Sequence, residues 1–173
     1  MKQIRITAAT LALALSPMLA LAAGPNDAQI AAVVVTANPV DIDAGQWAEA
    51  HAASGDVKAF AKLMVTDHTA VNKSATDLAG RLHLVPEDNA TAQSLKKGGE
   101  DNVAHLKTLA GAAFDRAYVD HEVAYHEAVL SALDTTLIPS ATNADLKALM
   151  VKVRPAFVAH LDHARHLQAQ LGK

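Results

Sequence analysis

The chain has 173 residues, 15 basic against 18 acidic side chains, 3% aromatic residues and no cysteine. That size supports one domain with at most a short appendage, and the low aromatic content and acidic balance exclude a nucleic-acid footprint. Without cysteine there are no disulfides, thiolate zinc sites, iron–sulfur clusters, c-type haem attachments or cysteine nucleophiles, so any metal site must use nitrogen and oxygen ligands.

The chain opens with Lys2 and Arg5, an apolar stretch from Ile6 to Leu21, and the small-x-small run Ala20-Leu21-Ala22. Residues 1–22 read as an export signal cleaved after Ala22, leaving 23–173 as a single mature domain. The apolar stretch is shorter than the roughly 20 residues a membrane span needs, and Ser16-Pro17 interrupts it. No cysteine follows it to carry a lipid, and no comparable apolar run occurs later. The expected product is exported to the periplasm, with no integral membrane segment after cleavage.

The mature part is rich in alanine, with apolar residues at three- and four-residue spacing, which predicts helices throughout. A first helix is expected over about 27–53, with Pro39 removing one backbone hydrogen bond and bending it. Ser54-Gly55-Asp56 reads as a stop and restart, with Ser54 as the cap of the next helix. That second long helix is expected over about 56–84, its seam formed by Val57, Ala61, Met64, His68, Val71, Ala75, Leu78 and Leu82. Pro86 and Glu87-Asp88-Asn89 end it, and a more polar helix follows over about 91–109. Gly111 introduces a third long helix over about 112–137, with the expected seam Phe114, Tyr118, His121, Tyr125, Ala128 and Ala132. Ile138-Pro139-Ser140 breaks the chain. Thr142 or Asn143 caps a final helix running to about Leu171 through Leu146, Met150, Val153, Phe157, His160, Ala164 and Leu167.

Four long amphipathic helices with one long connection predict an all-α, ferritin-like four-helix bundle. The connecting segment, helical itself, crosses over between the second and third long helices and makes them parallel. Counting from the turns at ~1.5 Å per residue then places Asp41, His68, His121 and His160 in one layer. Glu122 and His126, spaced i, i+4 on one face, lie beside it, as do Asp67, Tyr125, Asp162 and His163. Imidazoles and carboxylates converging from facing helices suit a divalent transition metal such as zinc, copper or iron. A nearby carboxylate would orient a ligating imidazole through its other ring nitrogen. The candidate ligands are therefore Asp41, His68, His121, Glu122, His126 and His160. His51, His83, His105 and His166 read as surface or helix-end residues.

The run from Asn38 through Gly45, the stretches Asp56–Ala61 and Met64–Thr69, the run from Phe114 through His126, and Pro155–Leu161 resemble the bacterial family known as domain of unknown function 4142. The resemblance spans nearly all of the mature chain and implies an exported, ferritin-like helical bundle, a family sometimes labelled outer-membrane. No strand pattern for a barrel is present, so the label bears on envelope location alone. Here Asp41 stands where the family pattern usually has Glu, and Pro39 enters a normally helical stretch.

Three functions follow from these residues. The leading one is a periplasmic metal-binding bundle that buffers, senses or stores the ion. A non-catalytic envelope stress or interaction module without metal is the alternative. A di-iron oxidase is weaker, because such sites carry paired Glu-x-x-His motifs and Glu122-x-x-x-His126 has one residue too many.

Overall fold

The computed structural model describes residues 24–172, so the export-signal reading of 1–22 lies outside the described residues. Among the described residues the fold is all-α. Its elements are α1 (Asp27–His51), α2 (Gly55–Arg81), α3 (Ala90–Leu106), α4 (Gly111–Ala132), a π-helical turn (Leu133–Leu137), α5 (Ile138–Ser140) and α6 (Ala144–Leu171).

Side chains set most of the helix starts. Asn26 accepts the Gln29 backbone N–H while the Gln29 side chain accepts the Asn26 N–H, a reciprocal capping box. Asn89 caps α3 by accepting from Thr91 N and Ala92 N, and Asn143 caps α6 by accepting from Asp145 N and Leu146 N. Ser54 holds the cap position of α2 but makes no side-chain cap bond. The buried carboxylate of Asp115 instead accepts the backbone N–H groups of Ala53 and Ser54 at 2.8 and 2.7 Å. Gly111, at φ +60°, turns the chain sharply into α4, a conformation that other residues adopt only with strain.

The helix ends give the topology. Asp115 ties the start of α4 to the α1–α2 turn, so α2 and α4 begin at the same end and run parallel. At the opposite end Asp27 accepts from Thr142 and Asn143, which joins the start of α1 to the start of α6. Asn89 donates to Gln29 O, so α3 starts beside the start of α1 and carries the chain back along it. This is the crossover expected from the length of the connection. α3 lies close against α1, with Gly99 so near Val40 that a Cβ there would come within 2.7 Å of a Val40 methyl.

Three helix boundaries differ from the sequence reading, the first being the end of α2, at Arg81 rather than near Leu84. The third long helix is not broken at Ile138: α4 continues through the π turn into α5, and the break falls at Ala141–Asn143. Pro139, which has no N–H to donate, follows directly on the π turn, where the regular i to i−4 ladder is already interrupted. α3 ends at Leu106 rather than near Leu109.

The apolar interior is in two parts. One gathers Ala48, Phe60, Met64, Phe114, Tyr118 and Leu167 toward the α1–α2 turn. The other gathers Ile30, Val33, Leu133, Leu146, Met150 and Phe157 toward the start of α6. Between them lies a layer of buried polar side chains: Asn38, Asp41, His68, Glu122, His126 and His160. Polar groups are rarely placed at such depth without partners, because burying one unpaired costs a few kcal/mol.

Candidate metal centre

Each of the four long helices contributes to the layer. α1 supplies Asn38 and Asp41, α2 supplies His68, α4 supplies Glu122 and His126, and α6 supplies His160. The spacings are those of helix faces: Asn38 and Asp41 are three apart, and Glu122 and His126 four apart. Their depth is near complete, with His126 and Glu122 each 1% exposed.

The three imidazoles form a near-equilateral triangle. Ring centroids are 5.6 Å apart for His68–His126 and 5.4 Å for both His68–His160 and His126–His160. One nitrogen of each ring is held by an acceptor at the edge of the cluster. The Nδ1 of His68 lies 3.0 Å from Asn38 Oδ1. Because the Asn38 amide nitrogen donates to Val34 O at 2.8 Å, its oxygen faces the ring, and His68 Nδ1 must be the donor. The Nδ1 of His126 donates to Glu122 O at 3.0 Å. His160 Nε2 lies 2.9 Å from Asp67 Oδ2, whose carboxylate accepts the ring proton.

A neutral imidazole that donates from one nitrogen carries a lone pair on the other. Those other nitrogens, His68 Nε2, His126 Nε2 and His160 Nδ1, are all buried and form no hydrogen bond among the described residues. Both carboxylate oxygens of Asp41 and Glu122 Oε2 are buried and without a hydrogen-bond donor as well. The Asp41 Oδ2 to His68 Nε2 distance is 2.8 Å, yet the pair does not meet hydrogen-bond geometry. Two acceptors this close repel unless a proton or a cation lies between them.

Ionisation in the layer follows from burial and neighbouring charge. Burial pushes His126 down to about 4, reinforced by His68 and His160 and only partly opposed by Asp41. Burial likewise lowers His160, with Asp67 opposing. Both rings are therefore neutral near neutral pH, as a metal ligand requires. Burial alone would raise Asp41, but attraction to His68 and His126 brings its carboxyl below the usual range. Glu122 moves the other way: burial and the neighbouring Asp41 charge hold it well above the carboxylate range. Burial and the same two carboxyls raise Tyr118 and Tyr125 well above the usual phenol range.

Two groups of these side chains could hold a metal ion: His68, His126 and His160, and Asp41, Glu122 and His126. In each, one ligand atom per residue lies within 4.8 Å of the others. A tetrahedral site with bonds of ~2.0–2.1 Å has edges of about 3.3 Å. The distances from Asp41 Oδ2 to His68 Nε2 and His126 Nε2, 2.8 and 3.7 Å, straddle that edge.

The structure brings together Asp41, His68, Glu122, His126 and His160 and leaves out His121. The expected seam of α4 drifts off the core after Tyr118, because the buried stripe is Asp115, Tyr118, Val119, Glu122, Val123 and His126. Successive helix positions differ by about 100°, so His121 turns to the neighbouring face. There it is half-buried and stacks on Tyr125 with ring centroids 5.8 Å apart. Tyr125 donates to Ala37 O at 2.7 Å, and burial lowers His121. Asp162 and His163 are exposed, and His163 meets Phe60 edge-on rather than the cluster. Asp67 stands where an orienting carboxylate was expected. Asn38 was not anticipated as a partner of His68, although a polar residue three positions before Asp41 in an apolar helix was its signal. Phe157 completes the surroundings, stacking on His68 at 5.2 Å with the rings 2° from parallel.

A family model described as Domain of unknown function (DUF4142) matches residues 10–167. No curated protein and no solved structure matches the chain.

Proposed function

The chain belongs to the DUF4142 family, whose description carries no chemistry, and from that premise we propose that the protein binds one divalent transition metal ion in its buried polar layer after export to the periplasm. His68 Nε2, His126 Nε2 and His160 Nδ1 are the ligands, Asp41 supplies the charged fourth donor, and Glu122 lies beside Asp41 and His126. The observation that carries this reading is the inward convergence of three unpartnered imidazole nitrogens whose opposite nitrogens all donate outward. A merely structural histidine cluster would gain nothing from leaving those three atoms without donors, since each such atom costs about 1–3 kcal/mol. An imidazole-rich donor set with one carboxylate favours zinc or copper over iron. The donor arrangement serves holding the ion, in buffering, sensing or storage, and no paired Glu-x-x-His motif supports oxidase chemistry.

Elemental analysis and calorimetry on tag-free protein test the proposal. The expected result is uptake of one zinc or copper ion per chain, with a drop in affinity of at least a hundredfold when His68 and His160 are both changed to Ala. Absence of uptake, or full affinity in that double variant, rejects it. Export is tested separately: fractionation of cells should find the processed chain, starting after Ala22, in the periplasm.

A further inference from the structure

A second cavity lies on the face of α4 that turns away from the metal layer. Its volume is about 530 Å³, within the range of small-molecule sites. It is bounded by α1, α3, α4 and α6, and it opens between α3 and α4, where α3 follows α1 and barely touches α4. Small residues, Gly98 on α3 and Ala128 on α4, form the lips.

The lining decides what fits. It runs from His121 to Leu137 along one side, about 24 Å at the helix rise, and that volume over that length averages about 22 Å² in cross-section. An average of that size matches one extended hydrocarbon chain. The lining includes no Asp, Glu, Lys or Arg among the described residues. A carboxylate or a quaternary amine would lose its hydration there without a counter-charge. Tyr125 already donates to Ala37 O, so His121 provides the polar contact at that end of the slot.

We propose that this slot binds a single-chain alkyl compound with an uncharged polar head, such as a hydroxyl, lying along α4 with its head beside His121. The site is distinct from the metal layer, from which Phe157 and Tyr125 separate it: each lines the slot and also packs against His68 or His126.

The test is calorimetric titration of the purified protein with 1-alkanols, with a chelator present throughout so that the outcome is independent of metal binding. The expected result is saturable binding of one 1-decanol per chain. Affinity should rise about fourfold per methylene from 1-hexanol to 1-decanol, all of which are shorter than the slot. Gly98→Leu and Ala128→Trp each put bulk at the lips. No neighbouring atom lies within 4 Å of a Cβ at position 98, and Ala128 is exposed, so both variants should fold with melting temperatures close to the parent. Each should weaken 1-decanol binding tenfold or more. The proposal is overturned if 1-decanol does not saturate, if both variants bind it as tightly as the parent, or if decanoate or 2-naphthol binds more tightly than 1-decanol.

Discussion

Asn38 is the smallest part of the centre on which much depends. Its amide oxygen accepts the His68 Nδ1 proton and its amide nitrogen is anchored on Val34 O, so the His68 ring has one orientation and one tautomer. Removing such an outer partner typically costs ten- to a hundredfold in metal affinity. Asn38→Ala is therefore expected to weaken zinc binding by that factor while the variant still binds one ion, measured by competition with a chromophoric chelator. Asp67 plays the same part for His160 from a half-exposed position, 37% open at its side chain, so water can share the task. Asp67→Ala should accordingly cost less than Asn38→Ala in the same assay. Reversal of that order would contradict the roles assigned from burial.

Glu122 gives the residue scale its pH dependence. Its folded pKa lies above the unfolded one, so its contribution to stability is complete below about 4.5 and is lost as pH rises through the folded value. His126, at about 4 when folded, acts oppositely: the unfolded ring takes up a proton first, so stability falls as pH drops from about 6.5 toward 4. Glu122→Gln keeps the shape of the side chain and removes the ionisation. Melted in the presence of chelator, this variant should match the parent near pH 4.5 and be more stable than it at pH 8. Equal melting temperatures at pH 8 would mean that the folded protein does not raise Glu122 above its unfolded value.

At the scale of the element, close approach and capping decide more than apolar content. α3 packs on α1 through Gly99 and the stiff, branched side chain of Val40. Gly99→Ala gains about 1 kcal/mol of helix propensity but forces Val40 aside, and overpacking costs about 1–3 kcal/mol. The net expectation is destabilisation by about 1 kcal/mol in urea unfolding. Gly98→Ala, next to it in open space, should instead stabilise by about 1 kcal/mol. The α1–α2 turn is fixed from outside by Asp115 on α4, which satisfies two backbone N–H groups. Asp115→Ala removes the charged acceptor of both part-buried donors and is expected to cost about 1.5–3 kcal/mol, read from the urea midpoint. Ser54, the residue that looks like the cap, makes no cap bond, and Ser54→Ala should change stability by less than about 0.5 kcal/mol.

On the scale of the whole molecule, two apolar cores enclose a polar layer, and the crossover helix makes that possible. Parallel α2 and α4 bring His68 and His126 to one height, 13 and 15 residues from their helix starts. A metal bound only by the folded chain adds stability by mass action, so saturating zinc should raise the melting temperature and excess chelator should lower it again. Acid releases the ion because protons compete for the same lone pairs. None of the described helices is long and apolar enough to cross a membrane.

Much of this was legible along the chain. Helix content, the breaks near Ser54 and Pro86, the long crossover and five of the buried polar positions, Asp41, His68, Glu122, His126 and His160, followed from spacing of three and four and from turn residues. Such features are local: a helix declares its period within its own sequence. What only the tertiary structure decided was which of two faces of α4 turns inward. Tyr118, His121 and Tyr125 form as regular a stripe as Tyr118, Glu122 and His126, and both are sheltered, one by the core and one in part by α3. The choice between them is made where α4 packs on α6 and on the other helices, which the sequence of α4 alone does not state. For the same reason, the donor that orients His68 and the cap that holds the α1–α2 turn could not be read locally. Each pairs residues distant in the chain, 30 apart for Asn38 and His68 and 61 for Ser54 and Asp115, and such pairs become neighbours only when the helices assemble.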